Sequence, residues 1–179
     1  MRAGAKYARV DFDDMLRAYS DMTHYSRSDL AKTTVFVDAR PATSHVSRAY
    51  WAHCGQHPVI IEEVAKHAAH HSWFNNLRCN LNRLTTMAGK MSLTVVCYCK
   101  QGKHRSVAMA YLVHHVLSRS REYVPEMPVA FIPWSQLCRC GGPDRCAECG
   151  NMQDPACMTA KELVVRQFFY GDMPHTRPV

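Results

Sequence analysis

Leu93-Thr94-Val95-Val96-Cys97-Tyr98-Cys99 is almost wholly apolar or β-forming, and it breaks abruptly at Lys100-Gln101-Gly102-Lys103-His104. From residue 105 the pattern changes. Val107, Ala110, Tyr111, Val113, His114 and Leu117 recur at helical intervals and fall mostly on one side up to residue 118. A strand this apolar suits a central position covered on both faces. A strand emptying through a short loop into a helix is half of a parallel crossover unit. Thr33-Thr34-Val35-Phe36-Val37-Asp38, closed by Arg40 and Pro41, reads as a second buried strand. Between the two lie a pair of helical patterns. One starts at Pro58 and carries Ile60, Ile61, Val64, Ala65 and Ala68. The other carries Trp73, Phe74, Leu77, Leu81 and Leu84 and stops at Gly89. Residues 128–134 read as a third strand, and residues 159–170 as a closing helix with Thr159 as its N-cap and Glu162 three residues on. The order predicts an α/β fold, a mostly parallel sheet with flanking helices and right-handed crossovers.

In such sheets ligands gather beyond the C-terminal ends of the strands, where Asp38-Ala39-Arg40 and the segment Cys99 to Ser106 both fall. The latter spells C-x-x-G-x-x-R-S. A loop of this kind directs backbone N–H groups to one point, and the following helix adds its positive end. Gly102 permits the positive φ or close approach that a tight anion nest requires. Arg105 offers a planar fork for two phosphate oxygens. Ser106 has a hydroxyl for the ligand or for Cys99, and Lys103 and His104 strengthen the positive field. No Walker A pattern is present, so nucleotide hydrolysis by that route is not indicated.

Two families share this loop. The spacing C-x5-R-S is that of the cysteine-dependent phosphatases, in which Cys99 would be the nucleophile, Arg105 the phosphate clamp and Asp38 the acid. Those enzymes generally carry His before the cysteine, where this chain has Tyr98. The second resemblance is wider. Gly102-Lys103-His104-Arg105-Ser106-Val107 is similar to the G-K-H-R-S-V signature of the C-terminal domain of RapZ, the bacterial RNase adapter protein. Val35-Phe36-Val37-Asp38-Ala39-Arg40 with Pro41 and His45 resembles the strand of that domain that ends in D-x-R, Pro and His. The resemblance runs from about Thr33 to Trp134. It implies a domain that senses glucosamine-6-phosphate and binds small RNA. Its ligand pocket carries over to Asp38, Arg40, His45, Cys99, Gly102, Lys103, His104, Arg105 and Ser106. The expected function is therefore binding or sensing of a phosphorylated small molecule, with an RNA-binding adapter role attached, and phosphatase activity as the alternative.

Five of the nine cysteines lie between residues 138 and 157. An odd total and CxC/CxxC spacing argue against a disulfide framework. Cys138, Cys140, Cys146 and Cys149, separated by glycine-rich turns, have the spacing of a zinc knuckle, so a structural four-sulfur zinc site is expected. Cys157 is a substitute ligand or a bystander.

A net charge of +7 favours anionic partners. Neither a long apolar run nor an apolar stretch after the basic N-terminus occurs, which points to a cytoplasmic location and no membrane. The partners this reading admits are a phosphorylated small molecule, RNA or another protein, and further copies of the chain. The organisation expected is an N-terminal segment 1–32, a ligand-binding α/β domain 33–134 and a cysteine-rich knuckle with closing helix 135–179.

Overall fold

A computed structural model describes residues 17, 20, 21, 26, 34–42, 48–70, 73–88, 93–99, 102–125 and 138–171. The third strand expected at 128–134, His45 and most of the segment 1–32 lie outside these residues.

Two strands form where the β-branched runs fall, β1 at Thr34–Asp38 and β2 at Thr94–Tyr98. They pair in parallel, with Thr34 opposite Thr94 and Asp38 opposite Tyr98. One further bond, from Ala39 N to Tyr98 O at 2.8 Å, carries the ladder past the strand ends. The register matters for function because it sets Asp38 and Tyr98 side by side, immediately before the two loops that leave the sheet. β2 is half-buried at every position rather than enclosed on both faces.

Four helices flank the sheet: α1 Pro58–His70, α2 Trp73–Ala88, α3 Arg105–Ser118 and α4 Pro155–Tyr170. The fold is α/β, as the sequence predicts. The apolar stripe of α1, made by Ile60, Ile61, Val64, Ala65 and Ala68, is fully buried. Its small residues let α4 approach closely, and that pairing is the most extensive among the described elements. Met109, Leu112, Val113 and Val116 of α3 fill the same core, as do Phe74, Leu77 and Leu81 of α2. Val164 and Phe168 of α4 complete it, so the closing helix shares the core of the α/β unit.

α4 begins one turn earlier than Thr159. Asp154 is the N-cap, accepting from Ala156 N at 2.9 Å, and Pro155 occupies the first helical position. A carboxylate cap followed by a proline with φ preset for the helix is a stronger start signal than a threonine inside the run. A short 3-10 helix, Arg48–Ala52, leads to residues 53–57, which cross in front of α3 on the way to α1.

Candidate functional site

The two strand ends are drawn together by their own side chains. Arg40 donates to Asp38 from Nε (2.8 and 3.0 Å), from Nη2 (2.6 Å) and from its backbone N (2.9 Å). Its guanidinium also lies 5.2 Å over the Tyr98 ring, a cation–π stack made possible by the β1–β2 register. Burial alone would raise the Asp38 pKa, but the hydrogen bonds and charge of Arg40 together hold it below the usual carboxylate value.

α3 starts at Arg105 with no side chain of the His104 N-cap bonded to it. Its first intrahelical bond from this end is Ala108 N to His104 O at 2.9 Å. The N–H groups of Arg105, Ser106 and Val107 therefore have no i−4 partner within the helix, and they carry its positive end. Gly102 precedes them at φ 64°, the left-handed conformation expected of it. A Cβ built there meets nothing within 4 Å, so the glycine borders open space. Cys99 Sγ donates to the buried Ser106 Oγ at 3.3 Å, which closes the base of the loop.

The basic side chains of the loop do not all point outward. Arg105 Nη1 donates to Arg40 O and to Ala42 O (3.1 Å to the latter), stapling the chain after β1 to the start of α3. Nε and Nη2 remain as donors, since a guanidinium has five N–H groups. His104 Nε2 donates to His53 O at 2.9 Å. Burial pushes the His104 pKa down, and Lys103 and Arg105 push it the same way, so the ring is neutral at pH 7 and the Nε2–H is the donor. Lys103 Nζ donates to Trp51 O. Asp38, Arg40, Cys99, Gly102, Lys103, His104, Arg105 and Ser106 thus meet around the C-terminal ends of the strands. Lys103 and His104 grip residues 51–53.

Residues 51–55 are also where the cysteine-rich segment docks. Successive glycines Gly141 (φ 81°) and Gly142 (φ 86°) turn the chain back after Cys140, and the helical turn Ala147–Gly150 follows with Cys146 at its N-cap. Cys140 N donates to Ala52 O at 3.0 Å. This brings three thiols against His53. The Cys140 and Cys149 sulfurs lie 3.8 Å apart, and Cys146 and Cys149 each lie 3.5 Å from His53 Nδ1. All four ligand atoms are within 4.8 Å of one another. A tetrahedral ion with metal–sulfur bonds of about 2.3 Å and a metal–nitrogen bond of about 2.05 Å has S···S edges of about 3.8 Å and S···N edges of about 3.5 Å. The cluster has the donor set and spacing to hold such an ion.

Cys138 belongs to the same buried cluster, with Cys54, but the tight group of four contains His53 in its place. Burial, with a hydrogen bond to Cys140, pushes the Cys138 thiol up to about 11. Cys149 is pushed up by its hydrogen bond with Cys54 and by burial, while the backbone N–H of Cys54 acts the other way. The Cys149 backbone N–H likewise favours the thiolate of Cys146 against burial. Such N–H···S contacts are what bound thiolates receive. Cys157, in the first turn of α4, is buried in the main core, apart from the tight group.

His53, His57, Glu148 and Gly55 also take part in this region, and none of them belongs to a motif of the sequence. A signal was present in His53 and His57, four apart and leading into Pro58. Glu148 Oε2 lies 3.3 Å from His53 Nε2 and 3.2 Å from His57 Nε2. Gly55 has a steric role: its N donates to Lys103 O at 2.9 Å, and a Cβ there would sit 2.0 Å from His104 O and 2.6 Å from Ala108 N.

The family profile described as the RapZ C-terminal domain matches residues 24–127, more than half of the chain. The chain belongs to the RapZ C-terminal domain family. The match takes in β1, β2, α1, α2, α3 and the loop between β2 and α3, and it ends before the cysteine-rich segment. What this RapZ-type chain carries beyond the match therefore includes three of the four metal-competent ligands and α4, while His53 lies inside it. No curated protein and no solved structure matches the chain.

Proposed function

We propose that this RapZ-type domain binds a phosphorylated small molecule, with glucosamine-6-phosphate as the first ligand to try, at the N-terminus of α3. The observation that carries the reading is the side-chain-uncapped start of α3, preceded by Gly102 at positive φ and flanked by Arg105. A phosphate there would accept backbone N–H bonds of the first turn and the free Nε and Nη2 donors of Arg105. Membership of the RapZ family supports a phosphosugar over inorganic phosphate. The net charge of +7 suits an anionic ligand and extends the reading to RNA. The described helices include none long and apolar enough to cross a membrane.

One observation favours binding over phosphoester cleavage. A cysteine-dependent phosphatase needs a protonated acid for its leaving group, whereas Asp38 is held ionised in its chelate with Arg40. We further propose zinc as the occupant of the cysteine–histidine cluster, in a structural role, because four protein ligands leave no open position.

Calorimetric titration with glucosamine-6-phosphate, glucosamine and inorganic phosphate tests the ligand. The phosphorylated sugar should bind and glucosamine should not. Arg105→Lys, which keeps the charge but loses the fork, should weaken binding by roughly tenfold or more, the scale of a charge-assisted hydrogen bond. Equal affinity for glucosamine and its phosphate would rule the reading out.

A further inference from the structure

His53 faces the cysteine cluster and the loop before α3 at the same time. Its ring Nδ1 points at Cys146 and Cys149, while its own carbonyl accepts the His104 Nε2–H. Each neighbour of His53 repeats the connection. Trp51 O accepts from Lys103 Nζ, Ala52 O accepts from Cys140 N, and Gly55 N donates to Lys103 O. The clearance at Gly55 leaves the backbone of this segment pressed against His104 O and Ala108 N with no room for a methyl group. Residues 51–55 are thus a strip of backbone bonded on one side to the cysteine-rich segment and on the other to Lys103 and His104.

The tautomer of His53 is already set for ligation. His57 Nδ1 accepts from Val59 N at 3.3 Å, so the proton of the neutral His57 ring is on Nε2, which faces Glu148. Glu148 Oε2 faces His53 Nε2 as well. A carboxylate there places the His53 proton on Nε2 and leaves the Nδ1 lone pair for the sulfur side. This carboxylate–imidazole–metal order orients metal-binding histidines and raises their basicity. Glu148 is the second of the two residues between Cys146 and Cys149, so the segment that brings two thiols also brings the group that aims the histidine.

We propose that a thiophilic divalent ion held by His53 Nδ1, Cys140, Cys146 and Cys149, with Glu148 as positioning residue, fixes residues 51–55 and through them the loop 102–106, so that anion affinity depends on metal occupancy. The affinity clause rests on the phosphate reading above; the coupling of metal to loop does not. With the ion bound, the His53 ring is tied to three thiolates and its carbonyl is held in place for His104. Without it, the strip keeps only its hydrogen bonds.

The test uses the full chain, loaded with one equivalent of zinc or cobalt or stripped by a chelator. Cobalt should give a charge-transfer spectrum of three thiolates, unchanged in Cys138→Ser and lost in Cys146→Ser. Hydrogen exchange at the amides of residues 102–107 should be slowed at least tenfold by metal in the wild type and in Cys138→Ser, and not in His53→Ala. Glu148→Gln should bind the ion about 10–100-fold more weakly, the range for loss of such an outer partner. A four-thiolate spectrum that needs Cys138 and tolerates His53→Ala would overturn the ligand set. Loop exchange identical in loaded and stripped wild type would overturn the coupling, and it does so without relying on any variant folding. Inorganic phosphate and glucosamine-6-phosphate should bind more tightly to the loaded form. If neither binds to either form while loop exchange still follows the metal, the phosphate reading fails and the metal–loop coupling stands.

Discussion

Two glycines near the loop before α3 do opposite jobs, and their substitutions separate them. Gly55 is needed for space, because its Cβ would run into the backbone of His104 and Ala108. Gly102 is needed for conformation, because it sits at φ 64° beside open space. Gly55→Ala should cost on the order of 3 kcal/mol through forced displacement of α3's first turn. Gly102→Ala should cost about 1–2 kcal/mol, the penalty of a left-handed L-residue. Urea denaturation of the two variants checks the order; equal losses would contradict it. Gly102 was readable in the sequence because its place in C-x-x-G-x-x-R-S demands a positive φ. Gly55 was not, because nothing local to residue 55 shows that α3 passes against it. His53 escaped notice for the same reason. Its partners are some ninety residues away, and cysteine spacing alone pointed to Cys138, whose sulfur shares the cluster but not the tight group of four.

At the level of elements, periodicity placed both strands and α1, α2 and α3, since each buries a stripe whose spacing is visible in the residues. α4 was placed but started late. Its first turn, Pro155 to Met158, is apolar throughout and so shows no one-sided stripe, and its true start signal is chemical: the Asp154 carboxylate on Ala156 N. Asp154→Ala should lower stability by about 1 kcal/mol, the usual worth of an N-cap. Because α4 packs on α1 in the common core, the loss should appear as a shift of the whole unfolding transition with no separate early phase. A distinct low-denaturant transition would show instead that α4 folds by itself. The sheet ends supply the other element-level lesson. The sequence presents Asp38 and Arg40 as ligand groups, and the parallel register also makes them partners of each other and of Tyr98.

On the scale of the whole molecule, α1, α2, α3 and α4 share one core, and two half-buried histidines of α3 report on it. Burial holds the His114 pKa down. Burial together with Lys161 and Arg119 holds down His115, whose Nε2 has no hydrogen-bond partner among the described residues. Above pH 6.5 both are neutral in folded and unfolded chains alike. As the pH falls below 6.5 the unfolded chain takes up protons that the folded chain refuses, so stability declines from there down through the folded pKa values. His115→Leu should flatten that decline, measured as the melting temperature between pH 7.5 and 5; an unaltered slope would place the titration elsewhere. A phosphorylated ligand on the first turn of α3 would perturb the amides that it touches. Amide chemical shifts of the metal-loaded protein, followed during titration with glucosamine-6-phosphate, test it directly. Saturable shifts should be concentrated at Gly102, Lys103, His104, Arg105 and Ser106 and at Asp38 to Arg40. Saturable shifts confined to residues 138–157, or none at all, would contradict it.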